Sequence, residues 1–378
     1  MVVVNMKRTQ QTAMSTYRRM NVSKKNSYFD KPQRVPNTVS SIHFSPKLKG
    51  RELYYAMLGY RRPYGTNTEK LFTKALAKYV GEGLGLPRSE DSLGNIFVKV
   101  GTNPSCAFTA HTDTVHSVEG KQTFSIDTTM NHAIVADPNS SCLGADDTSG
   151  IIIMMEMMRA KIEGVYCFFV GEEVGGVGST DAAKRVVAHP KTHPLGTCNK
   201  MISFDRRGYD DVITSQAWGE CCSLEFAQQL AAQLNSEGLR YRPDDTGIYT
   251  DSAEFVDIIN ECTNISVGYD FEHTVDEFQD LGFLFDYLIP ACLKLDTSKM
   301  VVKRDPTVTI SWDGMGTTPY SFDEPIDTTM DKSTEIMFES CLHEIRSTEL
   351  AAFFKLHGVS NVDFISYCAN NNIINGVL

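Results

Sequence analysis

Past residue 50 the chain alternates short apolar segments with amphipathic ones on a strand–helix rhythm. GNIFVKVG, SCAFTAH, HAIVAD, VYCFFVG, MISFD, DVITSQ and TNISVG predict strands. RELYYAMLGY and NTEKLFTKALAKYVGEGLG carry apolar residues at helical spacing, with Asn67-Thr68-Glu69 as a cap before the second. Further helices are expected at about 147–162, 178–187, 220–236, 251–259 and 277–296. Strands as continuously apolar as VYCFFV must be covered on both faces, so the pattern predicts an α/β fold with a mixed, mostly parallel central sheet between helices. In such sheets ligands bind at the carboxyl ends of the strands. After about residue 298 the rhythm changes to PTVTISW, a polar stretch and then STEIMFESCLHEI, STELAAFFKLHG and DFISYCANN, which read as a strand and short helices. Three regions follow: an arm over 1–45, a main domain over 46–298, and a C-terminal appendage over 299–378.

Composition narrows the function classes. A hydrophobic fraction of 42% and a charged fraction of 22% suit a soluble globular protein. No apolar run approaches the ~20 residues that span a bilayer, which argues against a membrane protein. The ten cysteines are scattered with no CxxC pair, which points to a reducing, cytoplasmic setting. The N-terminal MVVVNMKRTQQTAMSTYRRMN is too briefly apolar for a secretory signal; its basic, acid-free character is also that of a mitochondrial transit peptide, a minor alternative. Residues 1–45 carry eight Lys/Arg against the single acid Asp30, a net +7, leaving −18 of the overall −11 for the remainder. The basic arm suits an acidic partner or a flexible terminus, and the acidic body argues against nucleic acid as the main domain's ligand.

Candidate chemistry sits where the predicted strands end. AFTAHTDTV puts His111 and Asp113 after one strand, and CLGADDTSG puts Asp146 and Asp147 at a helix start. VYCFFVGEEVGG and MISFDRRG place Glu172, Glu173 and Asp205 after two more strands, and GYDFEHTVDEF offers His273 before the last long helix. Taken singly, each has an ordinary explanation: a local hydrogen bond, a helix cap, a solvated turn, a surface ion pair. Taken together, imidazole and carboxylate groups at one end of one sheet form a donor set for zinc or a similar divalent ion.

The ordered series His-x-Asp-x-Val, Gly-Ala-Asp-Asp, Gly-Glu-Glu, Phe-Asp and a late His resembles that of the co-catalytic di-zinc exopeptidases, over roughly residues 50–298. Within that clan, Asp205 to His273 spans only 68 positions, too few for an inserted lid domain. TDSAEF before TNISVGYDFEHTVDEF also resembles the lidless leucyl-type aminopeptidases, although Ser252 stands where that family often has His. The resemblance implies a three-layer αβα zinc-exopeptidase-like fold. It also implies that Asp146 bridges two ions, that His111 and Asp205 complete one metal, that Glu173 and His273 complete the other, and that Glu172 is the general base. A cis peptide within Asp146-Asp147 is implied as well. Asp113, two residues from His111, is positioned to accept the second imidazole N–H. Asp147, Asp251, Tyr249 and Tyr269 are candidate outer-shell or pocket residues, and no tyrosine is assigned to the oxyanion.

The implied reaction is zinc-dependent hydrolysis of a peptide or small amide by a water bridging two ions, with an aminopeptidase as the leading form. Carboxypeptidase, dipeptidase, deacylase and glutaminyl cyclase activities on the same scaffold are the alternatives, and a non-catalytic assembly module is the alternative of another class. The complete donor set favours the enzyme, and oligomerisation is left open. Arg206 and Arg207 are read as surface ion pairs, and His116 and His132 as ordinary polar residues.

Overall fold

The computed structural model describes residues 39–217 and 219–307. The strands that build its two larger sheets are, in chain order, β1 (Arg88–Glu90), β2 (Ile96–Val100), β3 (Cys106–His111), β4 (Phe124–Asp127), β5 (His132–Val135) and β6 (Gly164–Phe169). They continue with β7 (Lys200–Arg206), β8 (Asp211–Ile213), β9 (Arg242–Asp244), β10 (Glu261–Ser266), β11 (Tyr269–Asp270) and β12 (Phe278–Asp280). The main helices are α1 (Gly50–Leu58), α2 (Asn67–Lys78), α3 (Ala145–Arg159), α4 (Val177–Ala188) and α5 (Leu224–Asn235).

The central sheet runs β9-β8-β10-β7-β3-β6-β2-β1. Its middle strands β10, β7, β3 and β6 are mutually parallel, so their carboxyl ends share one edge. β2 and β1 extend one flank antiparallel, while β8 pairs antiparallel with β10 on the other. All six residues of β3 and all six of β6 are buried, as strands covered on both faces must be. Alternate residues feed separate cores: Phe108, Tyr166, Phe168, Ile202 and Phe204 join α1, α2, α3 and α5, whereas Ala107, Cys167, Phe169 and Met201 pack with α4. α3 is buried nearly all round through Ile151–Met155, Met157 and Met158, which explains its run of large apolar residues. The sheet ends in two three-residue strands, the exposed Arg88-Ser89-Glu90 and Arg242-Pro243-Asp244.

A smaller sheet, β11-β12-β5-β4, corrects the expected helix at 277–296. Phe278–Asp280 pairs instead with the edge of β5, Gln279 opposite Ala133. Helical structure begins at Leu281, capped by Asp280, whose Oδ1 accepts from Phe283 N–H at 2.8 Å. The helix expected at 251–259 is a single 3₁₀ turn, Asp251–Phe255. α5 begins at Leu224 because Ser223 Oγ caps Phe226 N–H at 3.3 Å. Thr66, one residue before the expected cap, caps α2 through Glu69 N–H. Between Asp205 and His273 the chain builds β8, α5, β9, the 251–255 turn and β10, all belonging to the central sheet or packed on it.

Phe44, inside the basic arm as its charge delimits it, is buried edge-on against Phe72 in the core. Beyond residue 298, the N–H groups of Lys303 and Arg304 donate to Glu261 Oε1 at 2.6 and 3.0 Å. The expected strand and short helices of the appendage lie outside the described residues, as does most of the arm. No helix among the described residues is long and apolar enough to cross a membrane. All eight cysteines among the described residues are free thiols.

Candidate metal centre

His111 ends β3, Glu172 and Glu173 follow β6, Asp205 lies near the end of β7, and Asp146 stands at the start of α3. Neighbouring parallel strands thus deliver groups far apart in sequence to one place. The His111 imidazole meets Asp146 Oδ1 through Nε2 at 2.9 Å and approaches Asp205 Oδ1 at 3.7 Å. His273, in the loop between β11 and β12, reaches Asp146 Oδ2 at 3.1 Å and Glu173 Oε2 at 3.0 Å. Asp146 therefore presents one carboxylate oxygen to each histidine. Two triads, His111/Asp146/Asp205 and Asp146/Glu173/His273, each bring one donor atom per residue within 4.8 Å of the others. A third group of the same kind joins His111, Glu172 and Glu173.

The electrostatics fit a divalent ion. Burial alone would lower the His111 pKa, yet Asp113, Asp146 and Asp205 carry it well above the usual value. The same contest at His273 ends with Asp146 and Glu173 pushing it up to about 11. Burial also pushes up Asp146, but the two histidines hold it far below the carboxylate range. Glu173 rises to about 8 through burial and Asp146, and Glu172 rises well above its usual range through burial, with Asp205, Glu173 and Asp251 adding to it. The cluster demands positive charge at its centre, and the donors present are those that zinc and similar ions take.

Supporting residues hold this arrangement from behind. Asp147 turns away from the triads: its carboxylate accepts from His111 N–H at 3.1 Å and Gly150 N–H at 2.8 Å. The Asp146-Asp147 peptide is cis. Asp113 departs from the role expected of its side chain, because His111 Nδ1 lies closer to its backbone carbonyl, at 3.1 Å, than to its carboxylate, at 3.5 Å. That carboxylate instead accepts from the N–H groups of Gly171, Glu172 and Glu173 at 2.9, 3.2 and 3.2 Å, so it shapes the turn that carries both glutamates. Asp205 accepts from Thr250 Oγ1 at 2.6 Å and Tyr269 Oη at 2.9 Å, which places Tyr269 behind a carboxylate rather than in an open pocket. Tyr249 is part exposed and donates to Glu254 at 2.8 Å. Asp251 is buried, with one carboxylate oxygen lacking a hydrogen-bond partner, and burial raises it to about 7.

Glu277 and Thr250 were not singled out by the sequence. Glu277 is buried and accepts from the N–H groups of Leu143, Gly144 and Asp146 at 2.7, 2.9 and 3.1 Å. Both lie within stretches that the motif reading quotes, TDSAEF and HTVDEF; nothing in their spacing marks a carboxylate aimed at backbone or a hydroxyl aimed at Asp205. His116 is a satisfied core residue, between Thr114 Oγ1 at 2.7 Å and the carbonyl oxygens of Gln122 and Cys142, both at 3.1 Å. Both arginines are in ion pairs, as read from the sequence: Arg206 with Asp211 at 3.3 Å, one of the two acids expected, and Arg207 with Glu272 at 3.2 Å, which was not among them.

No protein-family model and no curated protein matches the chain. Its fold is nonetheless that of solved zinc-exopeptidase-like structures. One is the aminopeptidase PepT from Bacillus cereus, at 14% identity and a TM-score of 0.51, covering 64% of this chain and 96% of that one. A tripeptidase from Staphylococcus aureus aligns at 14% identity with a TM-score of 0.53, covering 64% and 95%. PhTET1-12s, solved as a dodecamer, aligns at 15% identity with a TM-score of 0.50, covering 64% and 98%. Their names are those of an aminopeptidase, a tripeptidase and a TET protein; they do not single out the leucyl-type branch that TDSAEF suggested.

Proposed function

We propose that the protein is a metal-dependent hydrolase of peptide or small amide bonds, acting as an aminopeptidase with two divalent ions, zinc by donor type. One observation carries the reading. Five donors from separate segments form two triads that share Asp146, at the carboxyl edge of the parallel strands. His111 and Asp205 would hold one ion, Glu173 and His273 the other, with Asp146 between them. The bound ions would supply Lewis acidity for the scissile carbonyl and the attacking water.

The protein's own residues do the rest. Glu172 is outside both Asp146 triads, which leaves its carboxylate to take a proton from the water and pass it to the leaving amine. Asp113 fixes the turn from which Glu172 projects, through its backbone N–H. Thr250 and Tyr269 orient Asp205, and Asp147 orients the His111 backbone. The many carboxylates favour a substrate's free amine over its carboxylate, and the nearby Arg206 and Arg207 are already paired with acids. This supports amino- rather than carboxypeptidase action.

The test combines metal analysis of the purified protein with a panel of free aminoacyl and N-blocked substrates, with and without a chelator. Bound metal and chelator-sensitive release of free amino acids from unblocked substrates are expected. Metal-free protein, or equal activity on blocked substrates, would overturn the assignment.

A further inference from the structure

The two triads are not supported alike. His111 and Asp205 each have partners within their own surroundings: the Asp113 carbonyl and Asp147 carboxylate for His111, Thr250 and Tyr269 for Asp205. His273 has no such frame in β-structure; it sits in the loop between β11 and β12 with φ +65°. Its distance from Asp146, 3.1 Å, depends on how that loop docks against the 143–146 segment. One residue spans that docking contact, its backbone tied into the His273 turn and its side chain to the 143–146 segment. Glu277 lies four residues beyond His273, where its own N–H closes a turn onto Thr274 O at 3.2 Å. Its Oε2 accepts from Leu143 and Gly144, and its Oε1 from Asp146 N–H. Gly144, at φ +76°, lets these N–H groups converge on one carboxylate.

We propose that Glu277 is a positioning residue that sets the separation of Asp146 and His273, and thereby the second ion subsite, Asp146/Glu173/His273. The inference rests on the metal centre proposed above, but it assigns a task that none of the five donors performs. A carboxylate accepting three backbone N–H groups is a stiff link, because each bond fixes a different peptide plane. Its amide counterpart retains one oxygen and turns an N–H₂ group toward N–H donors, so at least one contact becomes repulsive. Outer partners of metal ligands commonly change affinity by about 10- to 100-fold when altered. Because Asp146 belongs to both triads, Glu277→Gln weakens both subsites, but most strongly the one that needs His273, since His111 and Asp205 keep their own supports.

The experiment is a zinc titration of the full chain against a competing chromophoric chelator, for wild type and Glu277→Gln, with circular dichroism to establish that both are folded. Two unequal phases are expected in the variant: one ion held about 10- to 100-fold more weakly, the other weakened by clearly less. Unchanged affinity for both ions would overturn the positioning role. Parallel weakening of both would also overturn it, because that is the signature of general destabilisation. Should Glu277→Gln fail to fold, Glu277→Asp, which keeps the charge but withdraws the oxygens, is read by the same criterion. A wild-type chain that binds no zinc would remove the metal centre itself, an outcome visible before any variant is made.

Discussion

Glu172 and Glu173 leave β6 as neighbours and enter different surroundings. Glu173 touches His273 and belongs to a triad with Asp146, whereas Glu172 lies outside both Asp146 triads. Glu172→Gln is accordingly expected to keep wild-type metal content while losing about 10²- to 10⁴-fold in turnover, measured by elemental analysis beside steady-state rates. Glu173→Ala should lose metal, and retention of a full complement would refute its ligand role. A different residue contributes to acid sensitivity. Burial lowers His116 to about 3, so the native state stays neutral there while the unfolded chain takes up a proton below its usual 6.5. Stability linked to His116 is present above pH 6.5 and is lost as pH falls toward 3. Urea unfolding in chelator at about pH 6.5 and about pH 5 should differ by roughly 2 kcal/mol from this residue. His116→Asn should flatten that limb of the profile even if it is less stable at neutral pH.

Among the elements, the turn over Gly171–Gly176 shows how a backbone is shaped by a side chain from another strand. Gly171 takes φ +71°, and Asp113 gathers three N–H groups of the turn. Asp113→Asn is expected to cost about 2 kcal/mol in chemical denaturation, since a buried donor loses its acceptor, and to lower turnover through Glu172. The strands β3, β6 and β7 were legible because buried parallel strands must be apolar throughout, and their terminal His, Glu and Asp could be ordered without knowing the register. β12 was not legible. Phe278-Gln279-Asp280 is too short to show a period of two, and its partner β5 lies more than 140 positions earlier. The side chains behind the donors were misread or missed for a related reason. Whether a carboxylate such as Asp113 or Glu277 faces a ring nitrogen or a row of N–H groups depends on distances set by strands remote in sequence.

At the scale of the whole molecule, the donors join β3, β6, β7, the start of α3 and the β11–β12 loop, so ion binding is coupled to the integrity of the central domain. Zinc at about 100 times its dissociation constant should add about 2.7 kcal/mol of stability per site. A rise in melting temperature of roughly 5–10 °C would follow, reversed by chelator and followed by calorimetry. Another property belongs to the sheet as a whole. At each margin stand three residues only: Arg88-Ser89-Glu90 on one side, Arg242-Pro243-Asp244 on the other. Charged side chains discourage a further strand from adding there, and a proline cannot donate to one. Among the described residues, the margins of the central sheet are therefore poor places for a second copy to extend it strand by strand.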